Sequence, residues 1–332
     1  MIENQVLGDA LRAFEDTTAM AATVVQLNLG HCDTGADARI RLGQNVLDAE
    51  IKARLTPATL GPALAQLKYL PGPAVLVAPY VTPPMAERLK ALDVPFIDAA
   101  GNAFLHMGET FVFVTGRKPA RVPIKARTLR VFRATGLRIV FALLCVPELA
   151  NAPYREVAEK AGVALGSVNV AFNELTRLGF LQKTKARGRV LEQRQRLVDT
   201  WVDAYARELR PRLNPRRFRV DRLDWWKDED LARLDLWLGG EPAAAVLTRY
   251  LRPQVVTLYG GAGFADLARR IRPVKDEHGN FEVLEPFWRF EVTQPVPGHH
   301  LTPPLLVYAD LLSTAEERNL ETAAMIRERY LG

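Results

Sequence analysis

The sequence predicts a multidomain α/β and α+β chain of three modules: α/β at each end, with a small helical module and a basic hairpin between them. Three observations lead to this. First, 332 residues, 48% hydrophobic and 25% charged, describe a globular protein rather than a disordered one. At roughly 100–200 residues per domain, that length holds two or three domains. Second, the hydrophobic pattern alternates between helix and strand spacing over 1–120. It is helical over 135–178 and alternates again beyond 222. Third, the charge is uneven. Residues 117–222 hold 24 Lys and Arg against 9 Asp and Glu, a net +15, within a chain whose net charge is +6.

Residues 1–120 form the first α/β module. The spacing predicts helices at 4–14, 57–67 and 83–92. Strands are expected at 23–29, 38–42, 46–55, 74–78, 95–98, 103–107 and 111–115. Asp98 follows an apolar strand and starts Asp-Ala-Ala-Gly-Asn102. It is read as an Asp-initiated turn or as a carboxylate at a strand end.

The central module spans 127–191. Leu137, Val140, Phe141 and Leu144 share one face of a helix at 135–146. Asn151 and Pro153 suit the start of a second helix at 154–161. Gly162-Val163 makes a tight turn, and a third helix at 164–178 carries Val168, Phe172, Leu175 and Leu178 inward. Gly179 ends it. Phe180–Lys183, a basic turn of Lys185 to Arg189 and Val190-Leu191 then make a hairpin. This order, over EVAEKAGVALGSVNVAFNELTRLGFL, resembles the winged helix-turn-helix superfamily. In such motifs the third helix enters the major groove. Its base-reading positions here are Ser167, Asn169, Val170 and Asn173, beside the small Gly166. Serine and asparagine hydrogen-bond base edges, and asparagine suits adenine. Arg177, Lys183, Lys185, Arg187 and Arg189 fall to phosphates and the wing. Arg127, Arg130 and Arg133 extend the basic surface, within a run from Arg117 to Arg138 that has eight basic residues and no acid.

Residues 192–217 read as a helix followed by a basic linker. Leu197, Trp201 and Tyr205 form an apolar stripe suited to dimerisation or to packing within the chain. Residues 210–217 are proline-broken. The last module, 218–332, is mixed α/β. Strands are expected at 236–238, 255–259 and 281–284, and helices at 240–251, 263–271 and 315–331. Gly260-Gly-Ala-Gly263 lies between a strand and a helix, without the residues of a dinucleotide or P-loop motif. It reads as a turn.

Several classes are set aside. The longest strongly apolar run, near 139–146, is far below the ~20 residues of a membrane span. The beginning of the sequence has no basic-then-apolar pattern, so a cytoplasmic protein is expected. Cys32 and Cys145 make no disulfide framework and read as small buried hydrophobes. The five histidines have no zinc-ligand spacing. No cofactor, metal or catalytic residue is expected.

Two further resemblances rest on particular residues. The order of an opening helix, three strands, a helix and a strand in the first module resembles the restriction-endonuclease-like fold. That resemblance would place metal-binding acids at Asp37 and Glu50, with Lys52 near a scissile phosphate. An active nuclease, an inactive nuclease-like scaffold and an unrelated α/β domain all fit the pattern. The stretches VLVAPYVTPPMAERLKALDVPFIDAAGNAFL (75–105), GGEPAAAVLTRYLRP (239–253) and PPLLVYADLLSTAEERNLETAAMIRERYL (303–331) are similar to AbiEi-type antitoxins, the regulators of type IV toxin–antitoxin systems. The resemblance implies an autoregulatory repressor that binds promoter repeats through its winged helix. It also implies a nucleotidyltransferase-like toxin that is opposed without a stable complex. The best-known members carry that winged helix at the N-terminus; here it is central. The expected partners are therefore double-stranded DNA with an inverted repeat, a second copy of the chain in a homodimer, and that toxin, with no membrane. The alternative is a metal-dependent DNA nuclease using Asp37, Glu50 and Lys52, targeted by the winged helix.

Overall fold

A computed structural model describes residues 2–27, 36–119, 129–184 and 188–332. The chain separates into two compact units, Met1–Arg127 and Thr128–Gly332.

The first unit opens with α1 (Ile2–Thr18). Its stripe of Val6, Leu7, Ala10, Leu11 and Phe14 has helical spacing and packs on one face of a seven-stranded sheet. The strands are β1 (Ala22–Leu27), β2 (Ala38–Leu42), β3 (Asn45–Ile51), β4 (Ala74–Ala78), β5 (Phe96–Asp98), β6 (Ala103–Met107) and β7 (Thr110–Val114). Their order in space is their order in the chain. β3, β4 and β5 run parallel, and every other neighbouring pair is antiparallel. Parallel neighbours need crossovers, supplied by α2 (Pro57–Lys68) and α3 (Pro83–Ala91). A reciprocal cap between Thr56 and Thr59, with Pro57 in the first turn, starts α2.

Strand alternation divides β3 between two environments. Leu47, Ala49 and Ile51 join the core under α1. Asp48 and Glu50 point the other way, and Lys52 follows them just past the strand end. All three are buried. The sequence expectation ran this strand to residue 55; it stops at Ile51, and Thr56 caps the next helix. Asp98 resolves as the turn. Its carboxylate accepts from the amides of Val81, Ala100 and Asn102 and from the Asn102 side chain, at 2.7–2.9 Å. Four donors leave it no free lone pair aimed at solvent.

The second unit begins with a 3₁₀ turn, Arg130–Phe132, and then α4 (Ala134–Cys145), α5 (Tyr154–Ala161) and α6 (Leu165–Arg177). Gly162, with φ of +63°, ends α5 in the left-handed conformation that a side chain would resist. The hairpin of β8 (Leu181–Thr184) and β9 (Gly188–Leu191) follows, then α7 (Arg194–Ala204). Wider and tighter helical turns carry α7 on through Arg212. Leu197, Trp201 and Tyr205 on this stripe are fully buried. Trp201 stacks between Phe141 and Tyr205, with ring centroids 5.1 and 5.0 Å away, and its indole N–H donates to the Leu137 carbonyl at 2.8 Å. The stripe is thus consumed inside the chain.

The rest of the unit comprises β10 (Arg216–Arg219), β11 (Leu236–Gly239), α8 (Gly240–Thr248), β12 (Val256–Gly260), α9 (Gly263–Ile271), β13 (Val274–Lys275), β14 (Phe281–Leu284), α10 (Pro304–Thr314) and α11 (Glu317–Ile326). The five strands form one sheet in the order β11-β12-β14-β10-β13. Residues 210–217, read from sequence as a linker, lead straight into this sheet. Arg210 bonds Glu282 at 2.6 Å and Asp310 at 3.3 Å, and β10 lies between β14 and β13. The residues that anchor this basic stretch lie far along the chain, so locally it reads as a loop. The helix expected at 315–331 is present as α11 and a wider helical turn that continues it to Leu331; α10, before it, was not expected, and Ala315, with φ of +52°, separates the two. α10 is buried nearly all round, so it has no amphipathic period to reveal it. The Gly260–Gly263 loop is a tight turn. A Cβ on Gly263 would lie 1.8 Å from the Leu234 carbonyl oxygen. Among the described residues, no helix is long and apolar enough to cross a membrane.

Candidate nucleic-acid interface

The exposed side of α6 is built from inside. Val168, Ala171, Phe172 and Leu175 are buried against the other two helices. Glu174 accepts the Val131 amide at 2.8 Å, which ties the 3₁₀ turn to α6. This fixes which residues face outward. Asn169 and Asn173 are exposed one turn apart, and the Asn173 amide donates to Asn169 Oδ1 at 3.4 Å. Leu165, four residues before Asn169, is 54% exposed.

Beside this ridge lies a cleft of about 490 Å³ between the 3₁₀ turn and the start of α6. Ser167, Val170, Gly166, Thr135, Arg130 and Arg133 line it. The four residues expected to read bases therefore divide. Asn169 and Asn173 stand on the ridge, whereas Ser167 and Val170 border the cleft with two arginines. Among the described residues, Arg130, Arg133, Arg177 and Lys183 have no ion-pair partner. Arg177 lies in the last turn of α6, where a cation suits the helix dipole.

The hairpin is held to the helices by one polar and one aromatic device. The Asn151 side chain accepts the Arg189 amide at 2.6 Å and donates to the Arg189 carbonyl at 2.9 Å. The Arg189 guanidinium lies over the rings of Tyr154 and Phe172, 5.0 and 4.9 Å from their centroids. This cation is therefore engaged in packing. Lys183, directly across the ladder from Arg189, is exposed. Lys185, Arg187 and Arg127, also expected in the interface, lie outside the described residues, as does Cys32. Arg138, in the same basic run, is partly buried near Arg289. Burial first, and that neighbouring charge second, lower its pKa. The Cys145 thiol is pushed well up by burial, which makes it a poor nucleophile.

The other constellation, in the first unit, does assemble. Lys52 Nζ pairs with Glu50 Oε1 at 2.7 Å and also bonds Gln66 of α2. Asp37 Oδ2 accepts the amide of Ile51, the residue between them, at 2.8 Å. Among the described residues, no group of three or more acidic, histidine or cysteine side chains is placed to hold a metal ion.

Two features escaped the sequence. Leu165 sits three residues before Val168, at core spacing, and only its place in the first turn exposes it. The second is a buried network: the Tyr205 and Tyr259 hydroxyl oxygens lie 2.8 Å apart, and each is within hydrogen-bond distance of the Asp310 carboxylate, at 2.9 and 2.8 Å. Its members are 51 to 105 residues apart, and no local pattern links them.

No curated protein and no solved structure matches this chain. A family model does match residues 189–332, from the second hairpin strand to the end, which includes the 239–253 and 303–331 stretches but neither α4–α6 nor 75–105. Over residues 189–332, then, this chain is similar to a family described as transcriptional regulator, AbiEi antitoxin, of type IV toxin–antitoxin systems.

Proposed function

We propose that the chain is a sequence-specific DNA-binding repressor whose α4–α6 and β8–β9 hairpin form a winged helix-turn-helix. In this reading α6 enters the major groove, and the protein represses its own operon as the antitoxin of a type IV system. The observation that carries it is the exposed side of α6. Two hydrogen-bonding amides there are flanked by Arg130, Arg133, Arg177 and Lys183, cations whose charge is not spent within the described chain. The cleft between the 3₁₀ turn and α6 suits a backbone phosphate, with Ser167 and the two arginines as donors. Helix N-terminal amides add to the attraction. The family of residues 189–332 supports the regulatory role. A two-fold homodimer on an inverted repeat is part of the proposal, as is a cytoplasmic location. The partner toxin would be nucleotidyltransferase-like. DNase footprinting on the DNA upstream of the gene tests the reading. It should show two protected half-sites related by a two-fold axis; uniform protection along the fragment would refute it.

A second reading is favoured by one observation: Glu50, Lys52 and Asp37 do gather at the end of β3. It makes the first unit a restriction-endonuclease-like scaffold that cleaves DNA with a divalent ion. Two carboxylates can bind Mg²⁺ through oxygen. The Glu50–Lys52 pair fits an inactive scaffold equally well, since the lysine already neutralises the glutamate. Supercoiled plasmid with Mg²⁺ or Mn²⁺ discriminates: nicking that disappears in Glu50→Ala supports cleavage, and intact plasmid supports the repressor alone.

A further inference from the structure

Leu165 is the large apolar side chain of α6 that stands exposed. It is the first residue of the helix and is 54% exposed, whereas Val168, Phe172 and Leu175 are buried and Val170 is half-buried. It heads a ridge at i, i+4 and i+8 with Asn169 and Asn173. The three positions span about 12 Å along the helix at 1.5 Å per residue, or three to four base-pair steps. Two carboxamides and one isobutyl group thus face the same way along one line. Arg177 continues that line one turn beyond Asn173, and the other cations lie on the 3₁₀ turn and on the hairpin.

The chemistry of base edges converts this ridge into a sequence preference. A carboxamide pairs in bidentate fashion with N6 and N7 of adenine. An aliphatic group has one apolar feature to meet in the major groove, the C5 methyl of thymine. A guanine- or cytosine-rich site would set polar edges against Leu165 and leave its exposed surface without a partner. Resting on the DNA-binding reading above, we infer that Leu165 is a specificity-determining residue that reads a thymine methyl, within an A·T-rich half-site whose adenines are met by Asn169 and Asn173. Ser167 and Val170, turned toward the arginine-lined cleft, belong to the backbone contact instead.

The test removes only the methyl groups. The DNA immediately upstream of the gene is prepared with thymine and, separately, with deoxyuridine at every thymine position. Binding of the full chain to each duplex is measured by fluorescence anisotropy. The wild type should bind the uracil duplex more weakly, by about fourfold per methyl in contact, the free energy of burying one methyl-sized group. Leu165→Ala should bind both duplexes alike, at the weaker level. Because Leu165 is exposed, that variant should melt with the wild type. Asn169→Ala, a change on the same ridge, should bind more weakly yet keep the uracil penalty. Equal wild-type affinity for the two duplexes would overturn the inference while leaving DNA recognition standing. A penalty that persists in Leu165→Ala would overturn it too, because the methyl would then be read elsewhere. Failure to bind either duplex at low salt would remove the DNA-binding reading itself.

Discussion

Arg189 shows how a residue of the expected type can be committed elsewhere. Its guanidinium is stacked on Tyr154 and Phe172, and its backbone is held by Asn151. Arg189→Ala should therefore cost about 1 kcal/mol of stability from the lost cation–π packing, read by urea melts. Lys183 is free of such contacts. Lys183→Ala should leave stability unchanged and weaken binding equally on specific and random DNA, with the salt slope falling by about one. Tyr205 and Tyr259 give a pH dependence. Burial first, and the charge of Asp310 second, hold both phenols well above their ordinary pKa of 10.0. In the unfolded chain they ionise near 10; in the folded chain they stay protonated. Their contribution is fully present below pH 10 and is lost as pH rises beyond it. Each phenol should lower stability by about 1.4 kcal/mol per pH unit above that point. Denaturant melts between pH 8.5 and 11 should show that slope, and the double substitution Tyr205→Phe/Tyr259→Phe should flatten it.

At the scale of elements, what the sequence revealed tracks how local the governing physics is. α5 and α6 were legible because glycine turns and apolar spacing act within a few residues. The sheet of the first unit was legible in its strands, which alternate or run apolar. By contrast β10 and α10 were hidden. β10 is a basic stretch whose partners, Glu282 and β14, lie far along the chain, and α10 is apolar on nearly every face. The exposed side of α6 was partly legible. Its asparagines stand out by type, whereas the exposure of Leu165 and the withdrawal of Ser167 and Val170 toward the cleft depend on where α6 begins and on the 3₁₀ turn fixed by Glu174. α7 carries a prediction of its own. Trp201 is stacked between Phe141 and Tyr205 and bonds Leu137, so it fastens α7 to α4. Trp201→Ala should cost about 3–5 kcal/mol, measured by chemical denaturation. A loss below 1 kcal/mol would mean the stripe is not a core element.

For the molecule as a whole, concentrated positive charge and a likeness to a regulator family over its later part support the same proposal from different parts of the chain. The basic segment is 117–222, and the family match begins at 189. Charge alone gives non-specific attraction to DNA with steep salt dependence; in the proposed function the amides and Leu165 on α6 would add what charge cannot, a choice between base sequences. The most direct measurement is an anisotropy titration across a salt series, on the DNA upstream of the gene and on a scrambled duplex of equal length. Base reading by α6 predicts a preference of ~10³-fold or more for the native duplex, abolished in Asn169→Ala/Asn173→Ala. Equal affinity for the two duplexes, or no binding to either at low salt, would contradict it.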